Sequence, residues 1–287
     1  MAGITGPSKT TGRAARDGGA ALELLWAERT HRGLVRTSNQ DAVLARPGLF
    51  IVADGMGGHE AGDLASTFVV ERLGTLLDGR AATRTMVLDA VRDANAGLVA
   101  LGASRGGSMG TTLCGLVALP TADPGRAKLV VFNVGDSRAY RLRDGSLVQL
   151  TRDHSVVQEL IDQGAITEAE AEGHPERHVI TRSLGADEML EIDWWLVEPR
   201  LGDRFLVASD GLTRSVERSR LEEALIGEVD RERAADRLLE DALEAGGRDN
   251  ISIIVVDVVL RAEPSQEAPI VDPLDDDTEP RPAGASG

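Results

Sequence analysis

Cysteine is nearly absent: Cys114 is the only one in 287 residues. A disulfide framework is thereby excluded, and so is a zinc site built on thiolates. Its setting, GTTLCGLVAL, reads as a buried strand thiol and not as a nucleophile. Aromatic residues make up 3% of the chain, so the core must be assembled mainly from Leu, Val, Ile and Ala. Basic residues are in deficit, 31 against 47 acidic ones, leaving a net charge of −16. That charge argues against nucleic acid or an anionic membrane as the main partner, since both repel it. Long apolar runs are missing too. The best candidate, ISIIVVDVVL, is short and broken by Asp257, and the N-terminus has no apolar stretch. Neither a membrane span nor a signal peptide is expected, and a cytoplasmic location is the default. Hydrophobic content of 42% fits a globular protein, and the length allows one large domain or two small ones.

What is present is organised around LFIVADGMGGHEAG (49–62). An apolar run reaches Asp54 and then breaks into glycines, which reads as a buried strand delivering a carboxylate to its end. After His59, the residues Ala65, Phe68, Val69, Leu73 and Leu76 recur at the spacing of one helix face. A carboxylate where a strand gives way to a glycine loop beside a helix N-terminus suits a cation or a phosphate. An isolated Asp-Gly is usually only a turn. Here similar Asp-terminated strands recur down the chain.

Residues 1–20 have no periodicity and read as a flexible leader. ELLWAERT is a first strand. HRGLVRTSNQDAVLARPGLFIVADG reads as two strands joined around Pro47-Gly48, although Pro-Gly is not the favoured two-residue hairpin turn. A hairpin centred there sets Asp41 opposite Asp54, with Cβ atoms about 5 Å apart. Two carboxylates that close repel unless a cation lies between them. Helices are expected over 60–77 and 85–101. GTTLCGLVAL, KLVVFNVGDSRAYRLRDG and SLVQLT read as successive strands, with Asp144-Gly145 as a hairpin signal and Asp136 closing a strand. Residues 152–182 read as a mostly helical insertion. Strands resume at IDWWLVE and DRFLVASDG, turning at 199–202, and Asp210-Gly211 repeats the strand-then-Asp-Gly pattern. An amphipathic helix carries Ala235, Leu238, Leu239, Ala242 and Leu243 on one face. Asp249 precedes the last strand, and the Pro-rich acidic tail, 262–287, is expected to be disordered.

Asp41, Asp54, Asp136, Asp210 and Asp249 thus all stand at strand ends within two residues of Gly, Ser or Asn. Each alone is a turn or cap residue; the set is a metal-site pattern. No His or Cys accompanies it at ligand spacing, and an oxygen-only cluster suits Mg²⁺ or Mn²⁺ better than zinc. Several converging carboxylates call for more than one cation. Two such ions can hold a bridging water, lower its pKa and clamp the oxygens of an in-line displacement at phosphorus. Arg36, a planar two-pronged donor, is the candidate partner for a phosphate dianion.

In order along the chain, RTSNQDA, VADGMGGHEAG, GTT, NVGDSRAY, LTRDHS, VITRSLG, ASDGL and GRDNIS resemble the metal-dependent serine/threonine protein phosphatases of type 2C, in their compact bacterial form. DGMGGH and GRDN are moderately specific singly; the ordered set, covering about 22–260, is very specific. The resemblance implies an α+β fold: a four-layer α-β-β-α sandwich with two central antiparallel sheets and a metal centre at one edge. It implies a phosphatase domain over 21–261, with a small helical flap at about 152–182. Asp54 would bridge two Mn²⁺ or Mg²⁺ ions, and the Gly55 carbonyl would bind one of them. Asp210 and Asp249 would complete the centre, with Asp41 acting directly or through water. Asp136 with Asp210 would hold a weak third ion. Arg36 would bind the substrate phosphate, which makes Asp41, Asp54 and Arg36 the catalytic set. Three positions depart from relatives: Gln40 replaces a glutamate, Arg214 stands where an Asp is usual, and Met56 stands where eukaryotic relatives carry a histidine. Arg214 would put a cation beside the third-ion region. His59 is a weak candidate general acid, and His31, His154, His174 and His178 read as structural or surface residues.

The activity implied is hydrolysis of phosphoserine and phosphothreonine on proteins by in-line attack of a metal-bridging water. It would oppose cytoplasmic protein kinases, with phosphorylated proteins, serine/threonine kinases among them, as partners. A pseudophosphatase kept for partner binding is a competing reading, disfavoured because Asp54, Asp210 and Asp249 are all present. A phosphatase dedicated to one regulatory phosphoprotein is another, weakened by the lack of an attached sensor domain.

Overall fold

Alternate side chains of LFIVADGM face two different cores. Leu49, Ile51 and Ala53 pack toward one, Phe50 and Val52 toward another. ISIIVVDVVL behaves alike, with Ile251, Ile253 and Val255 on one side and Ile254, Val256 and Val258 on the other. Strand side chains alternate between faces, so a run that is apolar throughout belongs to a sheet covered on both sides. The aromatic poverty shows in these cores: Phe50, Phe132 and Phe205 are fully buried among aliphatics. Each contributes roughly 1.5–3 kcal/mol.

The computed structural model describes residues 22–57, 59–79, 82–121 and 127–261, except for the side chains of His59 and Glu60. The expected leader (1–20) and acidic tail (262–287) lie outside the described residues. One sheet is built from β1 (Leu22–His31), β7 (Arg138–Arg143), β8 (Ser146–Gln149), β10 (Arg204–Ala208) and β11 (Ile251–Leu260), in the order β1-β11-β10-β7-β8. The other is built from β2 (Asp41–Arg46), β3 (Leu49–Met56), β5 (Leu113–Leu119), β6 (Lys128–Val134) and β9 (Asp193–Val197), in the order β2-β3-β5-β6-β9, with short β4 (Gly110–Thr111) beside β3. The pairings are antiparallel. Helices α1 (His59–Leu76) and α2 (Arg84–Ser104) cover the second sheet. Helices α5 (Asp210–Thr213), α6 (Arg218–Gly227) and α7 (Arg231–Glu244) cover the first. Between the sheets lies the shared core, where Trp26 meets Phe50 edge-on at 5.5 Å. The four-layer α-β-β-α sandwich is therefore as expected.

Local chemistry explains the ends of these elements. Thr83 caps α2 by accepting from Met86 N, and Asp230 caps α7 by accepting from Glu232 N and Arg233 N. The β7–β8 turn places Asp144 and Gly145 at φ 51° and 76°, the primed geometry that suits hairpin twist. At Pro47-Gly48 the loop is two residues long despite its unfavoured composition, because Gly48 supplies φ 74°. Arg46 then pairs with Leu49 and Asp41 with Asp54.

KLVVFNVGDSRAYRLRDG holds two strands, as expected, but β6 and β7 belong to different sheets, and Gly135, Asp136 and Ser137 carry the chain across. The turn at 199–202 likewise takes the chain from β9 in one sheet to β10 in the other. The insertion at 152–182 is less helical than its composition suggested, containing only α3 (Val156–Asp162) and α4 (Glu168–Glu172). Alpha-3 buries no side chain and is followed by Gly164 at φ 68°, while α4 buries only Ala171. The insertion is instead closed at its neck, where Val156 N donates to Val179 O at 3.0 Å and Thr181 N to His154 O at 2.9 Å.

Candidate metal centre

Asp41 opens β2 and Asp54 lies near the end of β3, so their register brings both carboxylates to one edge of the sandwich. The neighbouring sheet reaches over to hold the first. Ser209 Oγ donates to Asp41 Oδ2 at 2.7 Å and itself accepts from Ser252 N at 2.9 Å. Asp54 is fixed through its backbone: its N–H donates to Thr112 Oγ1 at 2.9 Å. Its carbonyl accepts from Thr112 N at 2.8 Å and from Thr111 Oγ1 at 2.9 Å. Gly55 is required by close approach, since a Cβ there would stand 2.1 Å from Gly62 O and 2.7 Å from Gln40 O.

The other three aspartates arrive on separate connections. Asp136 sits on the crossover between sheets and is 2% exposed. His154 braces that crossover, accepting at Nδ1 from Gly135 N at 3.0 Å while its own N–H donates to Gly135 O at 2.9 Å. Asp210 is the first residue of α5, where Gly211 lets the chain pass Asn250; a Cβ on Gly211 would lie 1.9 Å from Asn250 O. Asp249 precedes β11 and receives Arg36 Nη2 at 2.8 Å. The loop bearing Arg36 is held by Asn250, which is 5% exposed. Asn250 Nδ2 donates to Arg32 O at 3.0 Å and Ser38 O at 2.9 Å, and its Oδ1 accepts from Gln40 N at 2.8 Å.

The electrostatics are those of carboxylates crowded out of water. Burial pushes Asp41 up to about 7, with Asp210 and Asp249 adding to the rise and hydrogen bonds from Ser209 and Ser252 opposing it. Asp136 is also pushed up to about 7, by burial first and by Asp210 next, against the pull of Arg214. Asp54 lies well above the usual carboxylate range through burial and the charges of Asp41, Asp210 and Asp136. Arg36 is raised chiefly by its hydrogen bond to Asp249, with Asp54 and Asp210 contributing. One oxygen each of Asp41 and Asp136, both Oδ1, is buried without a hydrogen-bond partner. Buried unpaired carboxylate oxygens are costly and call for a cation or a proton.

The five expected aspartates and Arg36 therefore come to one region. Among the described residues no three His, Cys, Asp or Glu side chains stand in the closed arrangement of a metal shell. Arg36 and Arg214 take up oxygens instead. Arg36 holds Asp249, while Arg214 pairs with Asp210 at 2.7 Å and also with Asp136. The donor set, all oxygen with two orphaned oxygens, fits a hard divalent cation. His31 and His174 accept from backbone N–H groups of Gly33 and Glu176, which is structural work, as expected. His178 is different: its Nδ1 meets Arg214 Nη1 at 2.6 Å, at the rim of the cluster. Burial and the charges of Arg214 and Arg177 lower its pKa. The expectation for His59 falls outside the described side chains. Sequence reasoning missed Ser209, Ser252, Thr111, Thr112 and Asn250, although Ser209 and Asn250 adjoin expected ligands within ASDGL and GRDNIS.

The comparisons with known proteins agree with this geometry. The serine/threonine protein phosphatase PstP of Mycobacterium tuberculosis is 42% identical over 243 residues, covering 83% of this chain and 46% of PstP. The chain thus spans about half the length of that relative. The serine/threonine phosphatase stp of Listeria welshimeri is 35% identical over 246 residues, covering 80% of this chain and 94% of that one. The crystal structure of the M. tuberculosis phosphatase PstP/Ppp superposes with a TM-score of 0.76 at 40% identity, over 83% of this chain and 100% of that one. A structure of the PstP catalytic domain in complex with two manganese ions matches with a TM-score of 0.73 at 41% identity, over 83% of this chain and 99% of that one. A family model described as protein phosphatase 2C matches residues 30–249. Motif order, sandwich and carboxylate edge converge with these matches: the chain belongs to the protein phosphatase 2C family.

Proposed function

We propose that this chain is a Mn²⁺- or Mg²⁺-dependent phosphatase that hydrolyses phosphoserine and phosphothreonine on proteins. The observation that carries the reading is the facing pair of buried Asp41 and half-buried Asp54 beside Asp210, with an orphaned Asp41 oxygen and with Arg36 at the same edge. Asp54, Asp210, Asp249 and the Gly55 carbonyl would hold two cations, with Asp41 as a direct or water-mediated ligand. Bound cations of this kind act as Lewis acids on phosphoryl oxygens and make water a nucleophile at neutral pH. The relative bound to two manganese ions supports the metal class.

The chain's own groups do the positioning. Ser209 fixes the Asp41 carboxylate by Oδ2 and leaves Oδ1 for the cluster. Thr111 and Thr112 lock the Asp54 backbone, so its carboxylate meets the site without reorganisation. Arg36 is about half exposed at its side chain, close enough to pair with Asp249 and open enough to receive a phosphate from solvent. Its fork can bind two phosphate oxygens and orient phosphorus for in-line displacement. In the reaction water oxygen joins phosphorus, the phosphorus–oxygen bond to the side chain breaks, and the departing alkoxide gains a proton to become Ser or Thr.

The substrates in this reading are phosphorylated proteins, serine/threonine kinases among them, in the cytoplasm. Among the described residues no helix is long and apolar enough to cross a membrane. A pseudophosphatase is disfavoured because Asp54, Asp210 and Asp249 are not only present but electrostatically joined. The test is phosphate release from a phosphothreonine peptide by chelator-stripped protein with and without added Mn²⁺. Release only with the metal supports the reading; equal release in both states overturns it.

A further inference from the structure

Arg214 reaches three groups on three different parts of the fold. From the turn after α5, Nη2 pairs with Asp136 on the sheet crossover, and Nη1 lies 2.7 Å from Asp210 Oδ2. The same Nη1 lies 2.6 Å from His178 Nδ1, on the returning limb of the flap. His178 sits one residue before the neck, where Val179 O accepts from Val156 N. Residues 173–178 otherwise hold themselves by local turns, such as His174 N to Ala171 O and Arg177 N to His174 O. His178 is exposed, so no core keeps it in place. We propose that Arg214 is a positioning residue, an internal cation that neutralises Asp136 and Asp210 while clamping the flap to the metal centre through His178.

The chemistry favours this reading over an incidental surface contact. Asp136 is 2% exposed, and a buried carboxylate without a counter-charge is strongly disfavoured. Arg214 supplies that charge from the chain itself, and its side chain is only 27% exposed. A guanidinium has five N–H donors in a planar fork, so it can serve two carboxylates and one imidazole at once. A lysine ammonium carries the same charge but has no planar fork to span three separated partners. The consequence is a flap whose position is set by the protein and not by a further divalent ion. A peptide substrate approaching Arg36 then meets a pre-positioned wall, which lowers the entropy lost on binding.

The inference rests on the phosphatase reading only for its effect on substrate affinity, so the main readout needs no turnover. Amide hydrogen exchange over 174–181 is to be compared in wild type, Arg214→Lys, Arg214→Ala and His178→Ala, alongside calorimetric Mn²⁺ stoichiometry and a KM-against-kcat split on a phosphopeptide. Exchange should speed at least fivefold in all three variants, because each breaks the clamp. Arg214→Ala should bind one more Mn²⁺ than wild type, whereas His178→Ala, which leaves the guanidinium on the carboxylates, should not. KM should rise at least threefold in His178→Ala with kcat changed less than twofold. Unchanged exchange in His178→Ala and Arg214→Lys would overturn the clamp even if the protein proves a metal-dependent phosphatase. Equal Mn²⁺ stoichiometry in Arg214→Ala and wild type would overturn the internal-cation role. Loss of metal-dependent activity in wild type itself would overturn the phosphatase reading while leaving the exchange result to stand or fall alone.

Discussion

Asp41 and Asp54 are register partners in the β2–β3 hairpin, and their carboxylates share the edge where the two sheets meet. At a Cβ separation of about 5 Å and an effective dielectric near 20, two ionised groups there repel by roughly 3 kcal/mol. In the proposed reading a cation offsets that repulsion; without one, both carboxyls are pushed above the usual carboxylate range. Asp54→Ala should therefore lower phosphopeptide turnover by more than about 100-fold, beyond the usual loss from removing an outer partner of a ligand. The metal-free variant should unfold at no lower urea concentration than wild type, since a repulsion has gone. A marked drop in urea midpoint would show that Asp54 supports the fold directly.

Removing the serine behind Asp41 is a finer test. Ser209→Ala leaves Asp41 Oδ2 and Ser252 N without their shared partner. Mn²⁺ affinity, measured by calorimetry, should fall about 10–100-fold. Stability should drop by about 1–3 kcal/mol, the penalty for an unsatisfied buried polar group. Unaltered affinity would make Ser209 a fold residue only.

Asn250→Ala should loosen the loop that carries Arg36. Three backbone groups, Gln40 N, Arg32 O and Ser38 O, lose their side-chain partner at once. A loss of about 1–3 kcal/mol is expected in denaturant unfolding. Because Arg36 is then less well placed, KM for a phosphopeptide should rise more than kcat falls. Arg36→Ala should show the same split more strongly, as a phosphate clamp acts in ground and transition states alike.

How far the sequence revealed these features depended on the distance over which each signal acts. The Asp41–Asp54 pairing was legible because a hairpin centred on Pro47-Gly48 fixes its register locally. Asp136 and Asp210 were legible as breaks at the ends of apolar runs, and Asp249 as the acid just before one. Ser209 was not, since its partner Asp41 lies 168 positions away and a serine before an aspartate has no distinctive spacing. The crossing of β6 to β7 was not legible because Gly135-Asp136 has the composition of a tight turn whether the chain returns to the same sheet or leaves it. The contact of His178 with Arg214 was hidden for the same reason as Ser209, although Arg214 itself stood out as a cation where relatives carry an acid.

The metal-free protein should lose stability as pH rises. Asp41 and Asp136 have folded-state pKa values near 7, above their ordinary value of 3.8, so the folded state binds more protons between those limits. Stability then falls as pH climbs from about 4 toward 7 and levels off above. Urea unfolding at pH 5 and pH 7.5 measures the slope, which should be shallower in Asp41→Asn. A slope that the substitution leaves unchanged would remove Asp41 from this role.

The most direct measurement is the rate of phosphate release from a phosphothreonine peptide as Mn²⁺ is titrated into chelator-stripped protein, run in parallel on wild type and Asp249→Ala. The expected result is a saturable rise from a negligible rate in wild type and a flat line in the variant, whose bridge to Arg36 and place in the cluster are gone. Full activity without added metal, or the same saturation curve in both proteins, would contradict a metal-dependent phosphatase centred on these aspartates.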